Sequence, residues 1–461
     1  MPAPTAVTVA ARLDRLPDSR YLRRLIILLS LGGCFEFYDL FFSAYIAPAL
    51  YRSGIFTPTT TGFLDVHGFA SFIASLFAGL FVGTLFFGRI SDRFGRRTIF
   101  SFSLLWYSAA TFIMAFQTTA AAIDVWRFFA GMGIGVELVT IDTYVSELVP
   151  HANRGRAFAF NQFISFLAVP LAALVSWWLV PLRIWGLDGW RWVALLGASG
   201  AVFVWFIRRA LPESPRWLEQ QGQIAKANRL MGQIEDRVRA ETKKEFPAPV
   251  LVAGENLQGR GSWKEIWSAQ YRQRTIMLIV FHLLQSLGYY GFANWVPTLL
   301  LAKGIDVTST LRYTFFIAIA SPMGPLIGWA FADKFERKWQ CAWSALLIGV
   351  FGLLFARQQS AWGVILFGVL ITLSSNWLSF AYHAYHSELY PTRIRAQAVG
   401  FVYSWSRFSA IASSFVIAWV LRKYGTPGVF VLIASGMAIL FVVTGAFGPR
   451  TSQRRLEEIA R

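Results

Sequence analysis

Long runs of apolar residues, separated by short polar and basic stretches, set the pattern along the chain. Each run is close to the roughly 20 residues that an α-helix needs to cross a bilayer. The pattern therefore predicts an all-α membrane protein with twelve transmembrane helices. The spans are residues 24–48, 65–88, 99–116, 121–142, 157–181, 191–210, 273–298, 309–331, 339–356, 361–386, 396–421 and 427–447.

A repeated unit divides these spans into two sets of six. The stretch Asp92-Arg-Phe-Gly-Arg-Arg97 has a degraded copy, Asp333-Lys-Phe-Glu-Arg-Lys338, 241 residues later. The segments 144–154 and 385–395 share the same offset. Because two unrelated motifs keep one offset, the halves are duplicates of a single unit. We expect two pseudo-symmetric six-helix bundles, 24–210 and 273–447, a cytoplasmic linker with short helices at 211–272, and cytoplasmic tails at 1–23 and 448–461, the first of them mobile.

The charge of the chain follows the predicted topology. The sequence is 55% hydrophobic and 15% charged, whereas about a quarter of the residues of a soluble domain are charged. The net charge of +18 could indicate nucleic-acid binding, but 33 of the 43 Lys and Arg residues lie in segments that are cytoplasmic if the N-terminus is inside, or at the span ends next to them. This asymmetry is the positive-inside bias of membrane proteins. We therefore expect the lipid bilayer to be a partner of this protein, and we expect no nucleic-acid partner.

Charged residues at the predicted cytoplasmic ends form two matching groups, one in each half. We expect them to form ion-pair clusters near helix ends, which could hold the cytoplasmic side closed. The alternative is that they only anchor loops and set topology. The members of this gating set are Gly88, Asp92, Arg96, Glu147 and Arg154 in the first half, and Asp333, Arg337, Glu388 and Arg395 in the second.

Four of the charges inside the spans are singled out, because an ionised side chain there is costly unless it is paired or hydrated. With a rise of 1.5 Å per residue, Asp39 lies roughly 13 Å and Arg127 roughly 9 Å from the outer ends of their spans, so the two can pair. Glu36 and Arg407 both come near the bilayer midplane. Arg407 either contacts a bound small molecule or pairs with Glu36, and the sequence leaves both open.

Polar and aromatic residues near the midplane are the other candidates for a binding pocket. The run 288–297 contains Gly and Pro, which predicts a broken or bent helix lining a cavity. The alternative for the aromatic residues is packing in the core or against lipid. The candidates are Tyr38, Gln162, Gln285, Tyr289, Asn294, Trp295, Asn376 and Trp377. The sequence contains no metal-ligand spacing, nucleotide loop or nucleophile triad. We therefore expect that the protein binds no metal and no cofactor and is not an enzyme.

These motifs resemble those of the major facilitator superfamily. The loop 88–98 resembles its cytoplasmic signature, and the segments 127–135, 147–155 and 212–218 are similar to its sugar-porter and metabolite-symporter branches. The run 291–299 looks more like the aromatic-acid and organic-anion proton symporters. Two departures are the Glu336 that replaces the glycine of the first loop and the absence of a glutamine–glutamine pattern typical of sugar porters in span seven.

The resemblance implies the major facilitator fold and a secondary active transporter that works by alternating access. It implies that Asp39 carries the coupling proton and that Arg127 is its partner, with a permanent structural salt bridge as the alternative. The expected function is proton-coupled import of a small polar metabolite, with an organic or aromatic acid favoured. The alternatives are a sugar or polyol porter, a facilitator, an efflux pump and a transport-inactive substrate sensor. We expect a monomer in a bacterial inner membrane.

The topology generates the first testable prediction. In a Cys-free background (Cys34→Ser, Cys341→Ser), Gln258→Cys should resist an impermeant thiol reagent added to intact cells, because 211–272 is expected to be cytoplasmic. Arg183→Cys, in a loop expected outside, is the control and should react. Labelling of position 258 from outside would contradict the arrangement.

Overall fold

The computed structural model describes residues 9–57, 68–150, 153–203, 210–249, 263–331, 335–390 and 392–451. The described chain is almost entirely helical. The first half contains α1 (Val9–Asp14), α2 (Arg20–Arg52), α3 (Ala70–Phe94), α4 (Arg96–Met114), α5 (Ala120–Leu148), α6 (Arg154–Leu179), the two-residue antiparallel strands β1 (Arg183–Ile184) and β2 (Leu187–Asp188), and α7 (Gly189–Ala198). The connecting segment contains α8 (Pro215–Gln220), α9 (Ile224–Thr242) and a 3₁₀ helix (Trp263–Trp267). The second half contains α10 (Arg272–Ala293), α11 (Val296–Ala302), α12 (Val307–Ala318), α13 (Met323–Phe331), α14 (Arg337–Arg357), α15 (Ala361–Glu388) and α16 (Thr392–Phe447).

Each predicted span has a helix in the structure, and the chain has the twelve-helix fold. Seven of the described helices are long and apolar enough to cross a membrane. The last, α16, contains two spans, because Gly425 has the non-helical angles φ 65° and ψ −170°. Ile417 and Ile433 both contact the position of Gly291 on α10, although a straight helix would separate them by about 24 Å. The chain therefore doubles back at Gly425.

Spans seven and eight are each broken in two. The break in span seven falls at Asn294 and Trp295, between α10 and α11, where the sequence predicts it. The break in span eight, between α12 and α13, was not expected. There the carbonyl of Ser321 accepts a hydrogen bond of 3.0 Å from the side-chain amide of Asn376. Such a partner is needed because an unpaired carbonyl inside a membrane is costly.

The first half is tightened by close contact between the backbones of α3 and α5. A Cβ added at Gly79 would lie 2.0 Å from the carbonyl oxygen of Phe128, and one at Gly131 would lie 2.3 Å from that of Leu76. The glycines of these two helices therefore form a contact surface, as small residues do in membrane helix pairs.

Residues 9–16 of the N-terminal segment are packed against the rest of the chain, so the prediction of a mobile tail is wrong for this described part. Val9, Leu13 and Leu16 form an apolar stripe that packs in one cluster with residues of α9. Arg12 and Arg15 both donate to Glu235 of α9, at distances of 2.6 and 2.8 Å between nitrogen and oxygen. Burial opposes ionisation of Glu235, but the hydrogen bonds from the two arginines outweigh it and lower the pKa of this carboxyl.

The α3–α5 contact generates the second prediction. Gly131→Ala should lower the free energy of unfolding by roughly 1–3 kcal/mol, because its Cβ meets backbone atoms that cannot rotate away. The measurement is thermal unfolding of the purified protein in detergent. Gly400→Ala is the matched control, since a Cβ on this helical glycine would meet no atom of the described structure within 4 Å. Equal midpoints for the two variants would contradict the contact.

Candidate functional site

The interior of the first half holds a fully buried ion pair between α2 and α5. Arg127 donates from Nη1 to Oδ1 of Asp39 and from Nη2 to its backbone carbonyl. Thr111 of α4 donates to the second carboxylate oxygen at 2.6 Å. The rings of Phe42 and Phe72 stand 4.9 and 5.7 Å from the guanidinium carbon. The structure thus brings together the two residues that the sequence selected, and it adds Thr111, which the sequence analysis missed.

Arg407 is a buried cation of the other half. Its Nη1 donates to the hydroxyl of Tyr290 at 3.1 Å and its Nη2 to that of Tyr403 at 3.3 Å. Its Nε has no hydrogen-bond partner among the described residues. Within the described part of the chain, no carboxylate lies within 4 Å of the Arg407 guanidinium, the distance that defines an ion pair. Arg407 is therefore held by neutral hydroxyl groups.

Glu36, the alternative partner of Arg407, is buried one helical turn from Asp39 on α2. Its carboxylate lies within electrostatic range of both Arg407 and Asp142. Its Oε1 nevertheless lacks a hydrogen-bond partner in the described structure. The sequence left two possibilities open for Arg407: contact with a bound small molecule or an ion pair with Glu36. The described structure does not contain the direct Glu36–Arg407 ion pair.

Three histidines form a cluster beside Arg407. His386 Nδ1 and His282 Nε2 are 3.4 Å apart, and His383 stacks on Tyr382 with 4.3 Å between ring centroids. Tyr403, which bonds Arg407, packs against all three imidazoles. The sequence placed His383 and His386 near the end of span ten but gave no sign that span seven brings His282 to them.

A small cavity of about 40 Å³ lies between the halves and contains two of the predicted binding residues, Tyr289 and Asn376. Phe41 and Tyr45 line it from the first half. Its volume suffices only for a few water molecules. Gln285 is buried one turn before Tyr289, and Gln162 is half-buried on α6. Both amide atoms of Asn294, at the break in span seven, are buried without a hydrogen-bond partner among the described residues.

Three predicted binding residues lie elsewhere. Tyr38 is in the core of the first half, where its hydroxyl donates to the carbonyl of Val193 at 3.1 Å. Trp377 donates to Gln340 at 3.2 Å and lines a peripheral groove of about 650 Å³ formed by α13, α14 and α15. Its neighbour Asn376 faces the central cavity because adjacent helical residues point about 100° apart. Trp295 packs edge-on against Phe69 of the other half.

At the end of the molecule that carries the loop before α4, here called the basic end, the first gating group is partly visible. Arg96 donates from Nη2 to Glu147 at 3.0 Å. The sequence analysis missed Glu213, whose carboxylate accepts from the backbone N–H groups of Arg96 at 3.0 Å and Arg97 at 3.2 Å. Burial raises the pKa of Glu213, although these hydrogen bonds oppose the rise. Gly88 lies in α3, and the side chains of Asp92 and Arg154 fall outside the described structure.

The second half repeats this arrangement with different residues. Arg337 forms an ion pair with Glu388. Glu336 accepts from the backbone N–H of Thr451 at 2.8 Å, so the carboxylate now stands on the loop and not on the segment that follows the bundle. Tyr144 and Tyr385, equivalent in the repeat, donate to the carbonyls of Pro212 and Pro449. Asp333 and the side chain of Arg395 lie outside the described residues.

The two halves meet at the end opposite the basic end. Ring pairs join Phe77 with Tyr290, Phe69 with Trp295, and Trp177 with Phe315, at centroid distances of 4.6, 6.1 and 5.8 Å. Toward the basic end, by contrast, the side chains of Asp142 and His383 are exposed. The candidate site thus lies between halves that are packed together at one end and accessible from the other.

Comparisons with known proteins agree with this architecture. The family model described as sugar (and other) transporter matches residues 25–461. A putative metabolite transport protein of Bacillus subtilis is 32% identical over 448 residues, covering 97% of this chain and 96% of that protein. The niacin transporter NiaP of Acinetobacter baylyi is 26% identical and covers 98% and 99%. A benzoate transport protein of the same species is 25% identical, covering 91% and 88%.

Solved structures are similar over the whole fold. The xylose transporter XylE from E. coli, in a partially occluded inward-open conformation, superimposes with a TM-score of 0.72 at 18% identity. The match covers 95% of this chain and 100% of that one. At this identity the similarity concerns the fold alone.

Proposed function

Because this chain belongs to the sugar (and other) transporter family, we propose that it imports a small organic or aromatic acid together with protons by alternating access. The observation that carries this proposal is Arg407, a buried guanidinium whose described hydrogen-bond partners are two neutral tyrosine hydroxyls. A cation in a transmembrane segment without a carboxylate beside it is costly. A substrate carboxylate would offset that cost through charge-assisted hydrogen bonds.

The surroundings of Arg407 support an aromatic substrate. The ring of Tyr403 lies 5.1 Å from the guanidinium carbon, and Tyr290 packs edge-on against Phe77 of the other half. Aromatic rings prefer such edge-to-face and offset arrangements, so these rings would pack against a planar ligand when the halves separate beside Arg407. Among the relatives, one is described as a niacin transporter and another as a benzoate transport protein. Both names describe the transport of small aromatic compounds.

Proton coupling rests on the Asp39–Arg127 pair. Protonation of Asp39 would remove the charge that holds Arg127 and would free its guanidinium. When the proton leaves, Arg127 would bind the carboxylate again. Conformational change then alternates between a protonated state that carries substrate and an ionised state that has released it.

The gating residues and topology complete the proposal. Bundles 24–210 and 273–447 would rock about the central cavity while the Arg96–Glu147 and Arg337–Glu388 pairs form and break at the basic end. Asp92, Arg154, Asp333 and Arg395 would join these clusters. The basic end would face the cytoplasm with both chain termini, in a bacterial inner membrane, as the bacterial relatives support. A monomer would suffice, because each chain supplies both halves of the cavity.

Charge selectivity gives the third prediction. Arg407→Gln should weaken binding of benzoate by roughly 1.5–3 kcal/mol, the value of a hydrogen bond to a charged group. Binding of benzamide, which has the same shape without the charge, should change little. The measurement is calorimetry or thermal shift with the purified protein, and Arg312→Gln, an exposed arginine on α12, is the control.

Two results would redirect the substrate assignment. Equal losses for benzoate and benzamide would indicate that Arg407 supports the fold and does not read charge. Binding of D-xylose by the wild-type protein, with no response to either acid, would favour the sugar-porter alternative.

Coupling gives the fourth prediction. Asp39→Asn keeps the shape of the side chain but cannot carry a proton. In proteoliposomes, it should abolish accumulation of benzoate driven by a pH gradient and leave counterflow, in which no net proton moves, within about twofold of wild type. Accumulation against the gradient by Asp39→Asn would show that the proton is carried elsewhere, with Glu36 as the next candidate. Wild-type binding without counterflow would favour the substrate-sensor alternative.

A further inference from the structure

Glu137 is a buried acid of the first half that the proposed mechanism leaves without a role. It lies on α5, ten residues after Arg127, and is fully buried. Neither of its carboxyl oxygens has a hydrogen-bond partner among the described residues. An unsatisfied buried polar group is destabilising, and more so if it is charged. Such a group needs a reason to be present.

Glu137 lies against α2. Its Oε1 is 3.4 Å from where a Cβ on Gly32 would stand. Gly32 precedes Asp39 by seven residues, or about 10 Å along the helix axis toward the basic end. Glu36 stands between the two levels, about 4.5 Å from Asp39 by the same rise. Three carboxyl groups therefore lie at successive levels between the buried ion pair and the basic end, in the order Asp39, Glu36 and Glu137.

Tyr107 of α4 adds a hydroxyl to this series. It is one turn before Thr111, which bonds Asp39, and it is fully buried. Its hydroxyl has no hydrogen-bond partner in the described structure, and it interacts electrostatically with Glu137, Asp39, Glu36 and Cys34. A hydroxyl both donates and accepts, so it can pass a proton between carboxylates that face it.

The series of carboxyl groups ends at Asp142, which is exposed to solvent. Asp142 follows Glu137 by five residues on α5, about 7.5 Å farther toward the basic end. Its side chain is exposed, and it interacts electrostatically with Glu36. Asp39 itself is completely buried, with Arg127 and Thr111 on its carboxylate. The groups that face Glu137 are Glu36 and Asp39 from α2 and Tyr107 from α4.

We propose that Glu36, Tyr107, Glu137 and Asp142 form a proton relay through the interior of the first bundle, connecting Asp39 with water at the basic end. The ligand of this site is the proton. Chains of intramembrane carboxyl groups are a known form of proton path. Each group accepts one proton on oxygen and passes one on, so a full passage leaves Asp39 ionised beside Arg127 and one proton delivered at Asp142. This inference rests on the proposed proton coupling.

The transport test uses proteoliposomes and labelled benzoate. Glu137→Gln should reduce the rate of pH-driven accumulation at least tenfold and leave counterflow within about twofold of wild type. Tyr107→Phe, which removes one oxygen, should reduce it severalfold, and Glu137→Asp should restore part of the rate. Asp124→Asn, a buried acid of the same helix outside the relay, is the control and should behave as wild type. Wild-type accumulation by Glu137→Gln would overturn the relay.

A ligand-free measurement separates the relay from the proposed function. After a rapid drop in pH, infrared spectroscopy follows protonation of Asp39, assigned by the loss of its signal in Asp39→Asn. Protonation should be at least tenfold slower in Glu137→Gln than in wild type or Asp124→Asn. An unchanged rate overturns the relay even if transport is proton-coupled. A slowed rate supports the relay even if benzoate is not accumulated, in which case only the proposed function fails.

Discussion

The burial of Arg127 against Asp39 constrains the rest of the first half. Removing two charges from water costs several kcal/mol per ion, and only close, well-oriented contacts recover it. Here these contacts come from four helices, α2 to α5: both charged residues, the hydroxyl of Thr111 and the faces of Phe42 and Phe72. The glycines of α3 and α5 allow that convergence, because side chains at their positions would hold the helices apart. The packing and the ion pair are therefore parts of one arrangement.

Duplication of the chain preserved contacts more than it preserved residues. In both halves a tyrosine hydroxyl binds the carbonyl of a proline that follows the bundle. In both halves, a glutamate links the loop after the second span to the segment that follows the bundle. In the first half this glutamate, Glu213, belongs to the following segment, whereas in the second half Glu336 belongs to the loop. The ion pairs at the basic end are repeated as Arg96 with Glu147 and Arg337 with Glu388. The interior charges described above are not repeated: the first half holds acids beside Arg127, and the second holds histidines beside Arg407.

The sequence predicts the spans, the break in span seven and the Asp39–Arg127 contact, because apolar length, Gly and Pro, and intramembrane charge are local signals. It does not predict how helices rotate about their axes. Asn376 and Trp377 were equal candidates, yet one faces the central cavity and the other a peripheral groove. Thr111 and Tyr403 carry no charge, so the sequence pattern does not identify them as site residues. The N-terminal helix was missed because its stripe of three apolar residues acquires meaning only beside α9, more than 200 residues later.

The contact between Gly95 and Glu213 has an evolutionary consequence. Gly95 has a φ of 94°, and a Cβ there would stand 2.5 Å from a carboxylate oxygen of Glu213. Any other residue would be strained in that backbone conformation and would also displace the acid that binds the start of α4. The constraint is thus one-sided: the glycine is held both by its backbone conformation and by the carboxylate beside it. A lineage that lost the glutamate would still need the glycine for its backbone conformation, whereas one that replaced the glycine first would lose both interactions in a single step.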